Sequence, residues 1–319
     1  MSVGTAGDNT DPTKQRLDEK GSFVRAVSGF RNWISREPGA RFPAEKGRYH
    51  IYASLGCPWA TRTIITRRLK GLEDIISITI VTPAKGWPMG DEVPFPGATA
   101  DPNEGARAMK DIYLTADPNY TGRWTVPVLW DKKERTIVNN ESSEIIRMLN
   151  SEFNDLITDP AKAALDLYPE PLRKEIDSVN QWVYDTVNNG VYKCAFAGTQ
   201  EAYEAAIYPL FESLDRLESM LKGKDYLIGD TLTEADTRLF VTIVRFDPSY
   251  YTLFKCNIRT IRDGYPEINR WLRQLYWKNS SFKDSTDFAH IQRGYWGIMP
   301  QLNPSGIVPV GPIPLVQPL

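Results

Sequence analysis

Alternation of apolar and polar positions predicts strands in the first half of the chain, and a 3.6-residue periodicity predicts helices through most of the second. A short strand is expected over 48–53, a helix over 58–70, and the β-branched run Ile75-Ile76-Ser77-Ile78-Thr79-Ile80-Val81 predicts a second strand. Strand, helix and strand in that order imply a parallel pair joined by a right-handed crossover. From 82 to 122 the pattern breaks: prolines stand at 83, 88, 94, 96, 102 and 118, and only 104–114 reads as a short helix. A loop this long is usually functional. The segments 125–130 and 135–138, turning through Asp131-Lys132-Lys133, predict a hairpin. Pro127 cannot donate to a ladder, so its position is a bulge, an edge or a cis turn. A further helix is expected from Asn140 to Asn150, with Ile145, Ile146 and Leu149 on one face.

After 151 the strand signals largely stop. Helical periodicity covers 171–190, 200–222, 234–247 and 266–278, which predicts a domain of five to seven helices. Thr233-Glu234-Ala235-Asp236 has the form of a capping box and opens an apolar run over 239–244. At the other end, Phe23, Val27, Phe30, Trp33 and Ile34 have a spacing that roughly fits a helix face within an otherwise irregular stretch. Four regions result: an irregular arm over 1–46 that packs its aromatics on the body or a partner, a domain over 47–150 with 82–122 inserted, an all-helical domain over 151–299, and an extended proline-rich tail over 300–319.

Composition narrows the function classes. With 319 residues, 41% hydrophobic and 24% charged, the chain has material for about two domains with proper cores. A net charge of −2 without a long basic stretch argues against nucleic acid as partner. The first twenty residues are polar and acidic and no run is apolar enough to cross a bilayer, so a soluble, cytoplasmic protein is expected. Cys57, Cys194 and Cys256 are an odd number at wide spacing, neither a disulfide framework nor a zinc pattern, and no metal is expected. Only two histidines exist, and His50 reads as an ordinary strand residue.

The chemistry concentrates in the stretch from Tyr49 to Arg62. A strand, a turn at Gly56 and then Pro58, which is tolerated in a helix's first turn, put Cys57 at a helix N-terminus. Unpaired N–H groups and the positive end of the helix dipole favour an anion there, so a lowered thiol pKa and a nucleophile at neutral pH are expected.

Together, Cys57-Pro58-Trp59-Ala60, Gly86-Trp87, Gly122-Arg123, Thr125-Val126-Pro127-Val128-Leu129-Trp130-Asp131, Asn140-Glu141-Ser142 and Arg245-Phe246-Asp247 resemble the glutathionyl-hydroquinone reductases, the Xi class of glutathione transferases. The likeness extends into the tail, at Asn303-Pro304 and Gly306-Ile307-Val308-Pro309. It implies a thioredoxin-like N-terminal domain followed by the helical glutathione-transferase domain, with glutathione as co-substrate. It also implies that Val126 pairs by its backbone with the cysteinyl part of glutathione, and that Glu141 and Ser142 hold the γ-glutamyl amine and carboxylate. Trp87 and Arg123 would close over the tripeptide. Position 124, a small aliphatic residue in members of the family, is Trp here.

The motif Cys-Pro-Trp-Ala lacks a second cysteine, so the chemistry is monothiol and the oxidised form is a mixed disulfide with glutathione. Family resemblance further implies an aromatic substrate, a glutathionyl-hydroquinone, with Trp59 lining its pocket. Tyr192 and Tyr295 are the matched proton donors, Tyr251 is a further substrate-binding candidate, and the assembly is a homodimer. Two alternatives share the sequence features: an Omega-type thiol transferase or dehydroascorbate reductase, which shares cysteine and fold, and a non-catalytic binding module of the same fold.

Overall fold

The computed structural model describes residues 16–319, and what was expected of 1–15 lies outside them. Strands β1 (Arg16–Leu17) and β2 (Phe23–Val24) make a small antiparallel hairpin. A four-stranded sheet follows, from β3 (Tyr49–Ala53), β4 (Ser77–Ile80), β5 (Val128–Asp131) and β6 (Thr136–Asn139), in the order β4-β3-β5-β6. β3 and β4 are parallel, with Ile51 opposite Ile78, while β5 runs antiparallel to both β3 and β6. Helix α1 (Pro58–Leu69) makes the crossover, α2 (Met109–Ala116) lies in the long insertion, and α3 (Ser142–Ser151) follows β6.

The helical half comprises α4 (Pro160–Ala164), α5 (Arg173–Trp182), α6 (Gly190–Phe196), α7 (Gln200–Met220), α8 (Glu234–Ile243), α9 (Tyr251–Leu253), α10 (Ile261–Gly264), α11 (Pro266–Lys278), α12 (Ser280–Lys283) and α13 (Phe288–Trp296). The described chain is therefore a thioredoxin-like domain followed by an all-helical one, each around its own apolar cluster. Helix α1 is buried along most of its length because it packs on β3 and α3 on one side and on α8 and α12 on the other. No helix among the described residues is long and apolar enough to cross a membrane.

Differences from the expected elements have local causes. Residues 104–106 are loop because the Asp101 carboxylate accepts the N–H groups of Glu104 and Ala106, and the insertion's helix starts only at Met109. The Val126–Pro127 bond is cis and precedes β5, which begins at Val128. The aromatic arm forms no helix: Phe23 packs on Phe196 and Ile34 is buried, whereas Val27 and Trp33 are exposed. Several one-turn helices raise the number in the second half above the expected range. Two of the expected helical stretches also widen into π-helical turns, Val183–Asn188 and Phe246–Tyr250. A 3.6-residue pattern cannot announce that widening, which recurs at functional sites.

Candidate active site

Cys57 is the N-cap of α1, with extended backbone (φ −84°, ψ 121°) and Pro58 at the first helical position. Its part-buried thiol stands 3.7 Å from the carbonyl oxygen of Val126, to which it donates. Gly56 is required in the preceding turn: a Cβ there would lie 2.8 Å from the His290 carbonyl oxygen of α13. Arg245, fully buried, holds the same turn by donating to the carbonyls of Leu55 (2.8 Å) and Gly56 (3.3 Å) and to Thr61 Oγ1 (2.9 Å).

The expected acidification of this thiol is not what its surroundings give. Burial pushes the Cys57 thiol up. The N–H groups of Ala60 and Trp59 and the guanidinium groups of Arg245 and Arg25 pull it down, without overcoming the burial. The helix start acts in the expected direction, but the cost of removing a thiolate from water is larger.

A cavity of about 820 Å³ opens beside the sulfur, between the two domains. Trp87, Arg123, Val126, Glu141 and Ser142 line it on the side of the thioredoxin-like domain. Trp87 has a positive φ of 56°, rare for a bulky side chain, and its carbonyl accepts the Met109 N–H that begins α2. The Arg123 loop is shaped by Gly122, where any Cβ would collide with the ring of Tyr120 at 2.4–3.0 Å. The Glu141 carboxylate caps α3 by accepting the N–H and hydroxyl of Ser143, and it also accepts the hydroxyl of Ser28. Ser142 is buried at the first position of α3, its Oγ accepting from Arg62 Nη1 at 3.4 Å.

The helical domain faces the sulfur with aromatic groups. Tyr192 and Tyr295 line the cavity, their hydroxyls 2.7 Å apart, and Tyr250 adds a third hydroxyl 2.7 Å from that of Tyr295. Burial pushes all three phenols up, so they are neutral donors at physiological pH. Tyr251 corrects the sequence reading: it does not line the cavity. Successive helical residues point about 100° apart, so only one of the pair Tyr250 and Tyr251 can face the cluster, and it is Tyr250. Trp59 lines the cavity with the guanidinium carbons of Arg25 and Arg62 at 4.3 and 4.5 Å from its ring centroid.

Sequence reasoning thus missed Arg25, Arg62 and Tyr250, and saw Arg245 only as part of a motif. The last had a local signal, a cation directly after an apolar run. Arg25 had none, since it reaches the site from the N-terminal arm and is held there by Asn189 Oδ1 at 2.7 Å. Among the described residues no group of three or more His, Cys, Asp or Glu side chains could hold a metal ion.

Comparison with known proteins gives consistent matches. The glutathione S-transferase N-terminal domain family matches residues 56–152 and the C-terminal domain family residues 200–274. A Schizosaccharomyces pombe protein named glutathione S-transferase omega-like 2 is 53% identical, over 93% of this chain and 95% of its own. Glutathionyl-hydroquinone reductase YqjG of Escherichia coli is 50% identical, over 92% of this chain and 89% of its own. Its glutathione-bound structure superposes with a TM-score of 0.85 at 48% identity, over 91% of this chain and 95% of that one. The crystal structure of the glutathione S-transferase Xi from Phanerochaete chrysosporium gives a TM-score of 0.94 at 61% identity, covering 97% and 99% of the two chains.

Proposed function

The chain belongs to the glutathione transferase family, in its Xi class of glutathionyl-hydroquinone reductases, and from that premise we propose that it reduces glutathionyl-hydroquinones to hydroquinones with glutathione as co-substrate. The observation that carries this reading is a single part-buried thiol in one cavity with two neutral tyrosine hydroxyls, those of Tyr192 and Tyr295, the latter bonded to a third at Tyr250 behind the wall.

The Cys57 thiolate attacks the sulfur of the conjugate. A Cys57–glutathione disulfide forms while the sulfur–carbon bond to the ring breaks. The ring carbon keeps the bonding electron pair and takes a proton delivered from the phenol cluster, so the carbon is reduced and the two sulfurs are oxidised. A second glutathione thiolate then attacks the mixed disulfide, releasing oxidised glutathione and regenerating Cys57. Neutral phenols suit the first step, because a donor must hold its proton until the carbon needs it. Tyr192 and Tyr295 are the donors in this reading, and Trp59 forms a wall for the aromatic ring. Val126, Glu141, Ser142, Trp87 and Arg123 take glutathione, with the Val126 N–H and C=O pairing to the cysteinyl part as one more strand would. A homodimer in a reducing cytoplasm, where Cys57 stays free, belongs to the same reading.

Replacing Cys57 by Ala is expected to abolish reduction of a glutathionyl-hydroquinone, and retention of most turnover would sink the mechanism. Side-by-side kcat/KM values on a glutathionyl-hydroquinone and a small glutathione disulfide separate this reading from thiol transfer of the Omega type. Turnover of the disulfide better by several decades would favour that rival.

A further inference from the structure

Arg62 lies five residues beyond Cys57 on α1 and is fully buried, yet no carboxylate stands within ion-pairing distance of it among the described residues. Its partners are neutral: Ser142 Oγ at 3.4 Å from Nη1, and Asn188 Oδ1 at 2.8 Å and the Arg238 carbonyl at 3.3 Å from Nη2. Nε has no acceptor. A second guanidinium, that of Arg238, also lines this end of the cavity with its Nε unsatisfied. The acid nearest to Arg238, Glu234 at 3.5 Å, is shared with Arg147 at 2.8 Å. Buried charge without a counter-ion is costly, and natural sites offset it with a partner. Glu141 and Glu234 offset part of this charge without pairing with Arg62, and positive charge remains directly beneath Ser142.

The hydrogen bond to Ser142 also has a direction. A guanidinium can only donate, so Ser142 Oγ accepts, and its own proton is left to point elsewhere. That proton has no acceptor among the described residues, and Ser142 lines the cavity.

We propose that Arg62 is a positioning residue for glutathione: it fixes the Ser142 hydroxyl with its proton toward the cavity and supplies, from beneath, the charge that the α-carboxylate of the γ-glutamyl group neutralises on binding. This rests on the glutathione reading above and adds to it a group that never touches the tripeptide. Burial pulls the guanidinium down to about 9, so it is still a cation at neutral pH.

The test is calorimetric binding of glutathione and of γ-aminobutyryl-cysteinylglycine, the same tripeptide without that carboxylate, to the wild-type protein, Arg62→Gln and Arg62→Lys. The wild type is expected to favour glutathione by about a hundredfold, Arg62→Gln to narrow that ratio by about tenfold or more, and Arg62→Lys to recover part of it. Loosened packing alone would weaken both peptides alike and leave the ratio in place. A ratio in Arg62→Gln within about twofold of wild type overturns the proposal. Should Arg62→Gln not fold, Arg62→Lys decides: it lacks the fork that reaches Ser142 and Asn188 together, and a ratio equal to wild type overturns the proposal. A wild type that binds both peptides equally removes the role of Arg62 and leaves the glutathione reading standing. A wild type that binds neither removes both.

Discussion

A single thiol held between a helix start and a desolvating pocket obeys whichever influence is larger. Around Cys57 burial wins, so thiolate is scarce at neutral pH and grows as pH rises. Alkylation of the wild-type protein by iodoacetamide should therefore rise about tenfold per pH unit from 7 to 9 with no plateau. Cys194 and Cys256 are buried and contribute little to that signal. A plateau below pH 8 would show an acidified thiol instead. The position of Cys57 was legible in the sequence because Gly56 and Pro58 mark a turn and a helix start. Its electrostatics were not, because Arg25 and Arg245 come from parts of the chain brought near only by folding. The same limit explains the choice between Tyr250 and Tyr251, which depends on helix phase across a π-helical turn.

At the scale of elements, the long periodic segments α1, α3, α7, α8 and α11 were legible, and the capping box at Thr233 and Asp236 is present. What no local pattern carried is a second duty of Asp236, whose other carboxylate oxygen accepts the Leu227 N–H and the Trp271 indole N–H. Equally hidden was the contact between the Cys57 turn and α13. Gly56 reads as a turn glycine, yet the tighter demand is the approach of the His290 carbonyl from 234 residues later. Gly56→Ala puts a methyl group against backbone, which cannot swing aside, so one of the two segments must move. A loss of about 2 kcal/mol in stability is expected, read by urea unfolding. A fall in turnover should accompany it, since Tyr295 rides on α13. Unchanged stability and turnover would mean that the two segments slide freely.

For the whole molecule, the two apolar clusters meet across a seam that, among the described residues, three buried cations cross. Arg62 donates to Asn188 and to the Arg238 carbonyl, Lys70 to the carbonyls of Ala163 and Leu165, and Arg245 to those of Leu55 and Gly56. The division into a strand-rich half and a helical half was legible from periodicity. The seam was not, because a sequence does not say which arginines are buried. Inside the sheet, His50 is held between Ser77 Oγ and Thr79 Oγ1, and burial lowers it to about 4. The folded state then binds fewer protons than the unfolded chain between pH 6.5 and 4, so this contribution is complete above 6.5 and is lost as pH falls through 4. The loss amounts to roughly 3 kcal/mol. Thermal melts across that window should therefore slope downward with acid, and His50→Gln should flatten the slope. An equal slope in both proteins would exclude His50 as its source. Carbonyl and amide oxygens do not take up protons in this range, so the His50 loss falls on the strand and spares the contacts that Arg62, Lys70 and Arg245 make across the seam, where protonation cannot unlatch them.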